Sequence, residues 1–347
     1  MPLSDKDAVK AIRARFEPLG RTAFSLVYAE KGNAESVLKA EGFWIDGEVY
    51  DKPAFAKDTS NHLKREAMVY DTLGPHPHIT ACLGLELLPG TNEAWALRLE
   101  RSPWGDLRTY IMNHSAPDIC DRLKVAVDFA SAVQYLHDRG VIWGDLSTRN
   151  ALVFDHLHVK LCDFAGSSLP NVYPHTYFSY EPRYWPPMPV AEAPADGTVE
   201  LELFALGTAI CEITQWAVPY GRPGEVDDEA VQRKLARGEY PRVSDDNPAR
   251  DIIWKLWHFN YRSAQDAAND LKAIFHNLTS CRPTSLKEGH EDSQIIEEQA
   301  ARPIFDHTIA HPGWPCSLPP THEPPKSVTR NDARVSRIDH ISPKELL

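Results

Sequence analysis

The stretch Val141–Gly166, VIWGDLSTRNALVFDHLHVKLCDFAG, decides how the rest of the chain is read. Within it, Ala151-Leu152-Val153-Phe154 and His158-Val159-Lys160-Leu161-Cys162 are short, largely apolar runs on either side of a polar Asp155-His156 turn, the signature of a hairpin. That hairpin places Asp145, Asn150 and Asp163 on two turns at strand ends. Taken singly, an Asp or an Asn reads as a turn residue. An Asp, an Asn five residues on and a second Asp beyond a hairpin also supply what phosphoryl transfer asks of a protein. One carboxylate can orient a hydroxyl, and two oxygen ligands can hold magnesium.

Composition sets the frame. A chain of 347 residues, 42% of them apolar, exceeds the usual ~100–200 residues per domain and can bury a core large enough for two lobes. A net charge of −12 opposes non-specific binding to nucleic acid and to anionic membranes, so neither is expected as a partner. Six cysteines, at 82, 120, 162, 211, 281 and 316, form no C-x-x-C pair, and several lie in apolar runs. Buried free thiols in a reducing compartment are expected. The start, MPLSDKDAVKAIRARFEPLG, has no apolar signal core, and no run approaches ~18 apolar residues. A cytoplasmic or nuclear protein is the expectation.

Trp143-Gly144-Asp145-Leu146-Ser147-Thr148-Arg149-Asn150 resembles the protein kinase catalytic loop H-R-D-L-x-x-x-N, and Asp163-Phe164-Ala165-Gly166 resembles the kinase magnesium loop D-F-G. The wording G-D-L-S-T-R-N with C-D-F-A-G-S-S is similar to the divergent kinase-like proteins abundant in fungi. The resemblance runs in family order over roughly residues 17–278. It implies an α+β, bilobal kinase-like fold, with a small β-rich N-lobe at 17–100 and a larger helical C-lobe at 101–278. A lead-in helix at 1–16 would precede them, and a disordered or loosely attached tail rich in Pro, His and charge would follow at 279–347. It also implies ATP and Mg2+ as cofactors and a protein substrate, with Asp145 as the catalytic carboxylate and Asn150 and Asp163 as metal ligands. Arg149, where tyrosine kinases carry an arginine, joins the catalytic set.

The N-terminal half fits the same order. Leu19 to Tyr28 resembles a kinase glycine-rich loop that keeps Gly20 alone, with Thr22 and Ser25 at the other two glycine places. Ser36-Val37-Leu38-Lys39-Ala40 is a strand interrupted by one lysine, which would hold the α and β phosphates. Ser60 to Gly74 reads as a helix with Ser60 as N-cap and Gly74 at its end, and Glu66 on it would pair with Lys39. The 27 residues between Lys39 and Glu66 leave room for an insertion at 41–58. Trp95 to Leu107 resembles the hinge between lobes. Leu99 would guard the adenine pocket, backbone groups of Glu100 to Ser102 would bind adenine, and Asp106 would face the ribose. Val27, Val37 and Leu152 would sandwich adenine, although core packing accounts for them equally well.

In the C-terminal half, Asp121 to His137 is a helix whose stripe of Leu123, Val127, Ala130, Val133 and Leu136 carries the catalytic loop. Ser179-Tyr180-Glu181-Pro182 resembles the family's A-P-E, with Arg262 as the expected cation for Glu181 and Arg282 as the second choice. Glu202 to Ile213, almost continuously apolar, reads as the buried central helix, with Glu202 in place of the family's aspartate. Asp251 to Trp257 and Gln265 to Phe275 supply two further helices.

Three departures from the family pattern stand against catalysis: Trp143 for the loop histidine, the thinned glycine loop, and Ala165 for a glycine, whose turn Gly166 would have to supply. The alternatives are a pseudokinase that binds partners or nucleotide, and a small-molecule phosphotransferase of the choline, aminoglycoside or KEOPS type, which carry a similar G-D-L loop. Ser147 stands where serine/threonine kinases usually place lysine, so the acceptor, Ser/Thr or Tyr, stays open.

Overall fold

A helix capped by its own neighbour opens the chain. In the computed structural model, which describes residues 3–280 apart from 23, 55, 177–179, 189–193 and 195, helix α1 (Asp5–Arg15) begins at Ser4. The Ser4 hydroxyl accepts from the Asp7 N–H at 3.3 Å, as an N-cap should. The chain then makes β1 (Phe16–Arg21), β2 (Leu26–Glu30), β3 (Ser36–Ala40), β4 (Phe43–Ile45), β5 (Glu48–Tyr50), α2 (Ala56–Leu73), β6 (Cys82–Leu87) and β7 (Ala94–Glu100). Five of these strands form an antiparallel sheet in the order β1-β2-β3-β7-β6, while β4 and β5 pair as a separate hairpin within the expected insertion.

Register decides which side chains face which way. Val27 pairs with Lys39 and Lys39 with Leu97, while Val37 pairs with Leu99. Directly opposed residues share a face and alternate residues return to it, so Val27, Val37, Lys39, Leu97 and Leu99 line one side of the sheet. The other side carries Leu26, Tyr28, Leu38, Ala40 and Ala96, which pack with Phe16, Phe43 and Ile45 into a second core under the inserted hairpin. The insertion thus covers a sheet face that would otherwise expose these residues.

Helix α2 starts four residues before the expected cap. Ser60 lies inside it, and its hydroxyl accepts from the Ala94 N–H at 3.0 Å, fastening the helix to β7 rather than capping it. At the far end Gly74 adopts φ +66 and its N–H returns to the Tyr70 carbonyl at 2.9 Å, the left-handed helix stop expected of glycine.

Beyond the sheet come α3 (Leu107–Asn113), α4 (Ile119–Asp138), β8 (Ala151–Val153), β9 (Val159–Leu161), α5 (Val199–Gln215), α6 (Asp228–Ala236), α7 (Arg250–Trp257) and α8 (Ala264–Ser280). All five residues of the expected α4 stripe are buried, and α5 is buried from Leu201 to Thr214. The small β-rich part and the larger helical part are the expected α+β, two-lobed arrangement. Helix α8 runs to Ser280, past the expected helix end at Phe275 and two residues past the expected C-lobe boundary at 278; the rest of the tail, with Cys281, Arg282 and Cys316, lies outside the described residues, as does Ser179. Of the four described cysteines, Cys82 and Cys162 are half-buried free thiols, Cys211 is a buried free thiol and Cys120 is buried. Among the described residues no helix is long and apolar enough to cross a membrane.

Candidate active site

Lys39 sits at the middle of the site. Its position on β3 turns it toward α2, where its ammonium donates to Glu66 at 2.6 Å, and it also donates to Asp163 at 2.7 Å. Burial opposes a charge on Lys39, but the carboxylates of Asp163 and Glu66 outweigh it and hold the ammonium above its ordinary pKa. Burial raises the Glu66 carboxyl, opposed by Lys39. In Asp163 the attraction of Lys39 overcomes burial and lowers the pKa. One ammonium therefore keeps a sheet, a helix and the turn after β9 in register.

That turn is built by Asp163 itself, at φ 60. The Phe164 N–H donates to Glu66 at 3.2 Å, and the Ser167 N–H closes a turn on the Phe164 carbonyl at 3.0 Å. Neither Ala165 nor Gly166, the central residues of that turn, has positive φ. The left-handed step falls on Asp163, so Gly166 is not what makes the turn and alanine at 165 strains nothing. Phe164 is fully buried between Tyr70, edge-on at 5.0 Å, and Trp143 at 5.8 Å. Trp143 also donates its indole N–H to the carbonyls of Cys162 at 3.1 Å and Asp163 at 3.0 Å.

The catalytic-loop residues lie between α4 and β8. Asn150 donates its side-chain amide to the Asp145 carbonyl at 2.9 Å, which leaves its side-chain oxygen as a hard donor. Burial pushes the Asp145 carboxyl up to about 7; Arg149 opposes this and Asp163 adds to it. Among the described residues the buried Asp145 Oδ1 accepts no hydrogen bond, and Arg149 lies 3.5 Å from it. Gly144 takes φ +81, and a Cβ there would lie 3.2 Å from the Gly166 carbonyl oxygen. Its N–H donates at 2.8 Å to Glu202 on α5, whose other oxygen pairs with His137 at 2.7 Å. The buried Glu202 thus holds the loop to the C-terminal core.

The remaining expected residues are placed as follows. Leu99 and Val37 are buried and Val27 and Leu152 half-buried. The Glu100 N–H donates to Ala81 and the Arg101 N–H to Glu35, while the Glu100 carboxylate accepts from Lys160 at 2.8 Å and from the Ala81 N–H at 2.6 Å. Among the described residues the Ser102 N–H has no such acceptor, so of these three backbone donors it alone is open to a ligand. Asp106 caps α3 by accepting from the Thr109 N–H at 2.9 Å, with its second oxygen left over. Gly20 lies in β1 without positive φ. The loop after it is closed by the Thr22 hydroxyl, which accepts from the N–H groups of Phe24 at 3.2 Å and Ser25 at 3.0 Å.

Residues 17–262 match the family described as protein tyrosine and serine/threonine kinase. The chain belongs to the protein kinase family. Human NUAK family SNF1-like kinase 1 is 27% identical over 200 residues, 56% of this chain and 29% of that protein. Serine/threonine/tyrosine-protein kinase HT1 of Arabidopsis thaliana is 26% identical over 238 residues, 67% of this chain and 58% of that one. Tyrosine-protein kinase receptor svh-2 of Caenorhabditis elegans is 26% identical over 229 residues, 63% of this chain and 20% of that one. The kinase chain thus spans well under two thirds of the length of these relatives. Family membership implies ATP and a divalent metal in general terms. Among the described residues no group of three or more His, Cys, Asp or Glu side chains forms a metal cluster. Asn150 and Asp163 fit a hard cation that takes its other ligands from phosphates and water.

One expected pairing of the kinase fold is corrected. Glu181 is not paired with Arg262; it meets Arg108 at 2.7 Å, Arg183 at 3.2 Å and Arg149. Arg108, 2% exposed, also donates to Glu212 at 2.9 and 3.0 Å and to the Tyr184 hydroxyl at 3.1 Å. A buried carboxylate, Glu212, beside the half-buried Glu181 needs such a cation, and α3 delivers it. Sequence reading missed Arg108 because nothing in its neighbours marks it as buried. Arg149 is divided between Asp145 and Glu181, so it bridges the catalytic loop to the segment that resembles A-P-E.

Proposed function

We propose that the chain is an ATP-dependent protein kinase that transfers the γ-phosphoryl group of ATP to Ser or Thr hydroxyls of a protein substrate, with Tyr as the other acceptor the loop admits. The observation that carries this reading is Lys39, at 2.6 Å from Glu66 and 2.7 Å from Asp163. A lysine held in this way supports a reading in which it faces phosphates, with a carboxylate beside it that would take a metal. Lys39 holds the α and β phosphates, Asn150 and Asp163 hold Mg2+, and Asp145 orients the acceptor hydroxyl. A metal held there would supply charge neutralisation to the transferring phosphoryl group. Leu99, Val27, Val37 and Leu152 enclose adenine, Ser102 N–H meets its edge, and Asp106 faces the ribose.

A second reading, a nucleotide-binding pseudokinase, is favoured by the loop after β1. Its tip is drawn onto α2, where Thr59 donates to the Phe24 carbonyl and the Phe24 ring lies 4.5 Å from His62. Such a closed tip gives phosphates less backbone to approach.

Thermal-shift titration with magnesium ATP tests the nucleotide site. Wild type is expected to gain melting temperature, and Lys39→Ala and Asp163→Asn to gain little; equal gains in all three, or none in any, would overturn the site. Radiolabelled transfer to a peptide array beside choline and aminoglycosides then separates the classes. Label on peptides supports the protein kinase, label on small alcohols the other phosphotransferase, and nucleotide binding with no label anywhere the pseudokinase.

A further inference from the structure

The last turns of α5 border a cavity of about 420 Å3 that takes no part in the site around Lys39. Its volume falls among small-molecule pockets, which run roughly from 300 to 1,000 Å3. Cys211 and Gln215, one helical turn apart on α5, both line it. The wall that follows them is fixed in place. Pro219 lines the cavity while its carbonyl accepts from the buried Arg183 at 2.8 Å. Tyr220 holds a left-handed backbone, φ 67, and its hydroxyl donates to the Glu239 carbonyl at 2.8 Å. Tyr240 also lines the cavity, with its ring stacked at 5.2 Å on the buried Trp257. The recess is therefore built before any ligand arrives, which lowers the cost of ordering it on binding.

Its polar groups are weighted toward donors. The Nε2 of Gln215 is buried and has no acceptor among the described residues, an uncommon state for a buried polar atom. The terminal torsion of glutamine is soft, so the amide can turn its N–H groups to an oxygen in the cavity. Lys234, half-buried on α6, and Arg242 line the cavity as well, and among the described residues neither is paired with a carboxylate. The Lys234 ammonium lies 5.9 Å from the centre of the Tyr220 ring. Glu239, the carboxylate in the lining, is held by Arg237 at 2.7 Å. In a chain of net charge −12 this leaves a locally cationic recess. The Cys211 thiol, pushed up to about 12 by burial, stays neutral and adds no charge.

Two cations, a spare amide donor and two aromatic rings call for a ligand with an anionic oxygen pair and a flat apolar body. We propose that this cavity binds a small aromatic carboxylate, whose oxygens take the N–H groups of Gln215, Lys234 and Arg242 and whose ring lies against Tyr220 and Tyr240. A bare inorganic anion suits it less well, because Val218, Pro219 and the tyrosine rings present apolar surface that such an ion would not cover. The proposal does not depend on the kinase reading, since none of these residues belongs to the machinery assigned there.

Isothermal titration of the full chain with indole-3-acetate is the test. Wild type is expected to bind it with a Kd of about 0.1 mM, and the uncharged indole-3-acetamide at least about tenfold more weakly. The double variant Lys234→Ala/Arg242→Ala should lose about tenfold or more in affinity for the acid and leave the amide unaltered. Gln215→Leu should weaken the acid severalfold; if it fails to fold, the two surface cations still decide. Arg233→Ala, on the same helix but paired with Asp227 and Glu229, should bind as wild type does, and so should Lys39→Ala. Equal affinity for acid and amide, or affinity that survives the loss of both cations, would overturn the proposal. So would loss of binding in Lys39→Ala, which would place the probe in the nucleotide site, displacement of the probe by equimolar inorganic phosphate, or no binding by wild type at millimolar probe.

Discussion

The indole N–H of Trp143 lies 3.0 Å from the carbonyl oxygen of Asp163 and donates to it, so the residue that departs most from the family's catalytic loop steadies the backbone of the aspartate proposed to bind metal. A histidine at that position would offer one ring N–H; tryptophan offers one as well, with a larger apolar body that fills the space between Phe164 and Phe129. Size and donor together make the exchange tolerable.

Replacing Trp143 separates these two contributions. Trp143→Phe keeps an aromatic ring but strips the carbonyls of Cys162 and Asp163 of their donor, which should cost about 1–3 kcal/mol and raise the magnesium concentration needed for ATP to stabilise the protein. Trp143→His loses packing but keeps a donor. It should melt lower than wild type yet keep the wild-type magnesium requirement in the same thermal-shift titration. Equal magnesium requirements in the two variants would show that the hydrogen bond does not position Asp163.

Two glycine exchanges test where the left-handed steps lie. Gly144→Ala places a Cβ at φ +81 and 3.2 Å from the Gly166 carbonyl, and should destabilise by about 1–2 kcal/mol in urea unfolding. Ala165→Gly restores the family's residue where no positive φ is needed. It should instead lose about 0.4–1 kcal/mol through the freer unfolded chain and bring no gain in transfer rate. A rise in rate with Ala165→Gly would mean that the turn opens during the reaction.

The pH dependence follows from Asp145. Its carboxyl moves from an ordinary 3.8 up to about 7 through burial, with Arg149 opposing and Asp163 adding. In the proposed role the ionised form accepts the hydroxyl proton, so kcat/KM should rise with pH to a plateau above about 7 and fall tenfold per unit below it. Stability runs the other way. The folded pKa lies above the unfolded one, so the contribution of this group is complete below 3.8 and is lost as pH rises through about 7. Asp145→Asn should remove that loss from a plot of stability against pH. A profile unaltered by the substitution would assign the titration to another group.

Much of this site can be read from sequence because its demands are local. Lys39 interrupts an apolar strand, Glu66 sits on a helix with Leu63, Tyr70 and Leu73, and Asp145, Asn150 and Asp163 flank a hairpin whose turn residues are explicit. What could not be read depends on distant chain. Arg108 and Glu181 are 73 residues apart and meet only because α3 and the segment before α5 pack on one another. Ser60 has every mark of a helix cap, yet Ala94 from β7 claims its hydroxyl.

The most direct test of the central claim is radiolabelled phosphate transfer by wild type and Asp145→Asn, run beside ATP affinity for each. On the proposed reading, Asp145 orients the acceptor while Lys39, Asn150 and Asp163 hold the nucleotide. Wild type should therefore label protein, and Asp145→Asn should lose that labelling while binding ATP within about twofold of wild type. Label that persists undiminished in Asp145→Asn, or that is absent from wild type across the whole acceptor panel, would contradict the account.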